Sequence, residues 1–139
     1  MEQYHGTNKN TAIKIFDGKI DVTIGGGELG QGFYTGDLSH EAFIWSWHKF
    51  KKDKAVVKLT IDDDDFLNLT PECPDIHQTK TYRNKIRSNG ETRIYKFHKN
   101  VIWAPVVGKI IDNFYQFKYE SSIAQDYLNN ETVLKKIYY

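Results

Sequence analysis

Two short stretches carry residues that could do chemistry together. The first is His5-Gly6-Thr7, in "QYHGT"; the second is Gly30-Gln-Gly-Phe-Tyr-Thr-Gly36, inside "GGGELGQGFYTGDLSHEAFIWSW". An imidazole can accept or donate a hydrogen bond near neutral pH, and a neighbouring glycine lets a ligand approach bare backbone. A tyrosine such as Tyr34 adds a flat face on which a ring can stack. The glycine cluster alone is less informative. It lacks the Gly-Lys-Ser/Thr of a P-loop. Gly25, Gly27 and Gly30 satisfy the spacing of a dinucleotide-binding fingerprint, but "QGFYT" follows where that fingerprint requires a helix. The run Asp62–Asp65 lacks the spaced ligands and glycine of a calcium loop and reads as a solvated turn. His40, His48, His77 and His98 show no metal-ligand spacing, and the lone Cys73 has no thiol to pair with, so no metal is expected.

Elements that could position these residues are legible along the chain. Residues 2 to 5 read as a short strand ending at His5. Asn8 or Asn10 then caps a helix through Ala12, Ile13 and Phe16, closed by Gly18. "KIDVTI" and "GFYT" are short extended pieces. Ser39 is an N-cap for a helix whose apolar face is Ala42, Phe43, Trp47 and Phe50. "KAVVKLTI" is a strand with Ala55, Val57, Leu59 and Ile61 on one face. Residues 70 to 91 are polar and read mostly as loop. "TRIYKFH", "NVIWAPVVG" and "KIIDNFYQFKYE" read as strands, the second an edge or bulged strand because of Pro105. Ser122-x-x-Gln125 resembles a capping box opening a last helix with Ile123, Tyr127, Leu128, Val133 and Leu134. Strands outnumber helices without alternating with them. The expected fold is therefore α+β, one domain over residues 1–139, with a mostly antiparallel sheet and flanking helices.

Composition bounds the function. A net charge of +1 excludes a protein that coats nucleic acid through bulk charge. No apolar run reaches the roughly 18 residues of a membrane span, and the first residues lack the basic and apolar regions of a signal peptide. A cytoplasmic home, or leaderless delivery into a target cell, is the expectation.

Taken together, "YHGT", "GQGFYT" and the helix containing Ala42 resemble the NAD-binding half of ADP-ribosyltransferases of the diphtheria-toxin and PARP type, most of all their small bacterial relatives. "VIWAPVVGKI" and "FKYESSIAQDYL" resemble a later segment of those domains. The likeness touches the first 50 residues and the last 40, leaving residues 62 to 92 uncovered. It implies a split, mostly antiparallel sheet and transfer of ADP-ribose from NAD, the substrate, to a protein or nucleic-acid acceptor. A toxin or effector role, with a cognate antitoxin as partner, goes with it. Carried over by position, His5 anchors a ribose, Gly6 clamps the nicotinamide amide and Tyr34 stacks on the ring. Thr7, Gly32, Phe33 and Thr35 complete the NAD-binding set.

The third catalytic residue of the family lies on a later strand, where a polar or acidic group favours positive charge at the anomeric carbon. Gln116 takes that place in "NFYQFKYE", with Glu120 as the alternative on the same strand face. No Glu-x-Glu or Gln-x-Glu pair is present, which argues against arginine as acceptor. Arg83, Arg87 and Arg93, with Lys80 and Lys85, could meet a pyrophosphate or a nucleic-acid acceptor, or form a solvated basic loop. Two other readings stay open: an inactive NAD- or ADP-ribose-binding module, and an NAD-dependent RNA 2'-phosphotransferase. Against the latter, no arginine precedes Arg83.

Overall fold

A computed structural model describes residues 1–108 and 114–139. Strand β1 (Glu2–Asn8) leads into helix α1 (Lys9–Phe16), then β2 (Phe33–Gly36), α2 (Ser39–Phe50) and β3 (Lys54–Thr60). Helices α3 (Asp63–Asn68) and α4 (Ile76–Ser88) follow. Strands β4 (Val101–Pro105) and β5 (Tyr115–Tyr119), helix α5 (Ser122–Leu128) and strand β6 (Leu134–Tyr138) complete the chain. The six strands form one sheet in the order β4-β5-β2-β1-β3-β6, each neighbouring pair antiparallel.

The sheet is continuous, but its joints differ in width. β1 and β3 pair over seven residues, whereas β1 and β2 meet at a single pairing, Tyr4 opposite Gly36. That narrow seam divides the sheet into a β4-β5-β2 half and a β1-β3-β6 half. One face is covered by the main core, where Ala12 and Ile15 of α1, Phe66 of α3 and Ala124 and Leu128 of α5 meet Val57, Leu59, Phe33, Phe117 and Tyr119. On the opposite face α2 packs against β1 and β3, while α4 packs against β4 near a smaller cluster of Leu29, Ile102 and Ala104. Gln3, wholly buried, accepts from Thr35 Oγ1 at 2.5 Å and from Tyr119 Oη at 2.8 Å, tying β1 to β2 and β5.

Several local expectations are corrected by the structure. β1 continues past His5 to Asn8, whose side chain accepts from Thr11 N–H and caps α1. Gly18, at φ 71°, follows α1 as expected. "KIDVTI" is not a strand. Ile20 and Val22 are buried, but the amide and carbonyl of Ile20 bond Asn129 and the amide of Val22 bonds Gln125, so side chains of α5 and its C-cap replace a strand partner. The acidic run is not a free turn: Asp62 accepts from Asp65 N–H and caps α3, with acids in the first turn where the helix dipole favours them. The polar stretch after it holds α4, opened by a capping box between Asp75 and Gln78.

"TRIYKFH" makes no strand either; it forms turns whose backbone is bonded by β5 side chains, described below. The cap position of α2 is Leu38 and carries no side-chain bond, and Trp47 is 48% exposed, so the packed face of α2 is Ala42 and Ser46 rather than a stripe through Trp47. α5 is capped by Ser121 in place of Ser122 and stops at Leu128; Leu134 belongs to β6, a strand the sequence reading missed. β4 is an edge strand ending at Pro105, as its proline suggested. The long strand expected over residues 109–120 is seen as β5; its first part, 109–113, lies outside the described residues.

Candidate functional site

Past the Tyr4–Gly36 pairing, β1 and β2 part, and an open cleft of about 560 Å³ runs along the seam. A volume in this range suits a small-molecule ligand. His5, Gly6 and Thr7 line it from β1, Gly32 from just before β2, Phe33, Tyr34 and Thr35 from β2, and Gln116 from β5. Glu120 does not. It faces a separate hollow beside Lys99 and Ser121.

The imidazole of His5 is held on two sides. Its ring stacks on Phe33, with centroids 4.4 Å apart, and Nδ1 lies 2.6 Å from the carbonyl oxygen of Tyr34. A carbonyl can only accept, so Nδ1 carries the proton and donates. Burial pushes the imidazole below the usual histidine range, opposed in part by that bond. A neutral ring with its proton on Nδ1 leaves Nε2 as a bare acceptor, suited to a hydroxyl donor. Gly6 has its own structural reason. A Cβ there would stand 2.5 Å from the carbonyl oxygen of Ala42, so α2 can approach β1 only over a glycine.

The glycine loop acts differently from the simple turn its composition suggests: it folds over Tyr34. The phenol donates to the Gly30 carbonyl at 2.6 Å and accepts from Leu29 N–H at 3.2 Å. Gly27 lies flat on the ring, since a Cβ there would fall 2.7 Å from Tyr34 Cζ. One face of the ring is therefore in contact with the chain's own backbone. Burial raises the phenol's pKa, so it titrates at no ordinary pH. Gly30, at φ 96°, fits beneath Tyr95, and Gly32 leaves room for the Lys118 stem. Thr35 is committed elsewhere, its hydroxyl donated to Gln3.

The two candidates, Gln116 on β5 and Glu120 just past its end, have different surroundings. Gln116 donates from Nε2 to Glu28 Oε1 at 2.5 Å and to the Pro105 carbonyl at 3.2 Å. Glu120 forms a buried pair with Lys118, Nζ to Oε2 2.6 Å, and accepts from the backbone N–H groups of Phe97 and Lys99. Lys118 also donates to the Tyr95 carbonyl and sits over the Phe97 ring. This pair pins residues 95–99 to the sheet. Burial pushes Lys118 below the usual lysine range, with Glu120 opposing the shift.

The arginines do not form one patch. Arg83, on α4, pairs with Glu28 at 3.3 Å, while Arg93 donates to the Ile24 carbonyl and braces the glycine loop. Glu28 and Trp45 are among the cleft residues that the sequence reading missed. Glu28 sits in the glycine loop with nothing local to mark it, because its partners arrive from α4, β5 and Val107. Trp45, on α2, lines the cleft with its indole half exposed and Lys49 4.8 Å over its ring. Among the described residues no group of three histidines, cysteines or carboxylates could hold a metal, and no helix is long and apolar enough to cross a membrane.

Fold and site thus define an α+β domain with a six-stranded antiparallel sheet, flanking helices and an aromatic, glycine-lined cleft at its central seam. No protein-family model matches the chain, and no curated protein matches it either.

Proposed function

We propose that this domain is an NAD-dependent mono-ADP-ribosyltransferase with a split, ADP-ribosyltransferase-like sheet, releasing nicotinamide as it transfers ADP-ribose to a protein or nucleic-acid acceptor. The observation that carries the reading is the meeting of His5, Gly6 and Tyr34 in one cleft at the β1–β2 seam, with the imidazole locked in a single tautomer. In this reading Nε2 of His5 accepts from a ribose hydroxyl and the Gly6 backbone holds the carboxamide. Tyr34 presents its remaining ring face to the nicotinamide. Trp45 offers a second aromatic surface across the cleft. The role of toxin or effector, with an antitoxin as partner, belongs to the same proposal.

A second reading, binding of NAD or ADP-ribose without turnover, is favoured by one observation: the β5 position holds neutral Gln116, both of whose amide protons are bonded within the protein. Calorimetric titration with NAD tests what both readings share. Wild type should bind, and His5→Ala and Tyr34→Ala should each weaken binding by at least about tenfold with the fold intact, the scale of one lost hydrogen bond or stacking contact. Unchanged affinity in both variants, or no binding by wild type, overturns the assignment.

A further inference from the structure

We propose that Glu28 is the catalytic carboxylate of this cleft, facing the positive charge that develops on the ribose as the glycosidic bond of NAD breaks, and that Gln116 is the residue that positions it. The inference rests on the reading of the cleft as an NAD site. An oxocarbenium-like centre is stabilised by an anion fixed nearby. β5 supplies none, since Gln116 is neutral, and Glu120, just past the strand, faces the separate hollow and not the cleft. Among the described residues three carboxylates line the cleft: Asp21, Glu28 and Glu41. Asp21 is exposed and turned onto Thr23, whose N–H and hydroxyl it accepts at 2.9 and 2.6 Å. Glu41 lies in the first turn of α2, 3.7 Å from His40.

Glu28 alone of the three touches Gln116. Its Oε1 accepts from Gln116 Nε2 at 2.5 Å and from Val107 N–H at 3.1 Å, and its Oε2 faces Arg83 Nε at 3.3 Å. A Cβ on Gly108 would stand 2.7 Å from Oε2, so a glycine there leaves the carboxylate its room. The side chain is 18% exposed, half-buried but open to the cleft. The loop thus carries a charge that the strand orients. Arg83 offsets the cost of holding it out of bulk water.

In the basal reaction the C1'–N bond of NAD breaks and its electron pair leaves on the pyridine nitrogen, giving neutral nicotinamide. Water forms the new C1'–O bond and loses its proton to solvent, giving ADP-ribose. An acceptor hydroxyl or amine takes the place of water in transfer. Glu28 forms no covalent bond in the step.

Wild type, Glu28→Gln and the double variant Glu28→Gln with Gln116→Glu decide it, each measured for nicotinamide release and, separately, for NAD affinity. Glu28→Gln should lose at least about 100-fold in release while its affinity moves less than about threefold, because charge is removed and shape kept. The double variant, which returns a carboxylate from β5, should regain at least about tenfold of the lost rate. Release by Glu28→Gln within about threefold of wild type overturns the proposal and leaves the NAD reading standing. Parallel loss of affinity and release overturns it too, by making Glu28 structural. No release by wild type overturns turnover and proposal together. Should Glu28→Gln fail to fold, Glu28→Asp replaces it: at least about tenfold lower release at unchanged affinity is expected, and unchanged release contradicts the proposal.

Discussion

At the residue scale the cleft is built from groups whose second duties are structural. His5 holds the Tyr34 carbonyl, Tyr34 holds the glycine loop, and Gly27 exists so that the loop can lie on a ring. Because burial depresses the His5 pKa, protons favour the unfolded chain, where the imidazole titrates near its ordinary value of about 6.5. The stability tied to neutral His5 is complete above that value and declines as pH falls from there toward the depressed folded value. Melting temperature should therefore fall on acidification below about pH 6.5 in wild type, and His5→Gln should lack that component; identical profiles would contradict it. Gly27→Ala drives a methyl into the Tyr34 ring and should cost about 1–3 kcal/mol, the usual range for overpacking, seen as a lower unfolding midpoint. An unchanged midpoint would mean the loop does not rest on Tyr34.

At the element scale, strands and helices with a packed face were legible and those defined by distant partners were not. β3 announces itself through Ala55, Val57 and Leu59, buried together with Ile61 just past its end. "KIDVTI" and "TRIYKFH" carry strand composition, yet their backbone groups bond to Asn129 and Gln125 or to Lys118 and Glu120, which no local pattern records. α4 was hidden by its polarity, although Asp75-x-x-Gln78 was an available signal. β6 was hidden by Lys135 and Lys136, lysines suited to an exposed sheet edge. Glu120 illustrates the cost of such distant bonds. Glu120→Ala leaves Lys118 buried without its partner and should destabilise the fold by about 3–5 kcal/mol in denaturant melts. A loss under about 1 kcal/mol would place the pair among weakly coupled surface bridges. At the end of α2, Lys51 stands at φ 52°, a region that favours glycine, so Lys51→Gly should raise stability by about 1 kcal/mol. A drop in stability would refute that strain.

At the scale of the whole molecule, the sheet is strong where β1 meets β3 and narrow where β1 meets β2, and the cleft follows the narrow joint. Gln3 bridges that joint through Thr35 and Tyr119, which holds the halves together beside the open cleft. The sequence pairing of "YHGT" with "GQGFYT" identified both lips of the cleft, since their residues are local to two strands. Gln116, named from its strand pattern, lines the cleft as well, but its bond to Glu28 and the Arg83 pair behind Glu28 were not legible, because three separate regions are joined only by the fold.

The most direct measurement is nicotinamide release from NAD by the purified chain, followed with and without a cell lysate as acceptor. The account predicts release by wild type, increased by lysate and abolished by His5→Ala. NAD left intact under both conditions, by a chain shown to be folded, would contradict it.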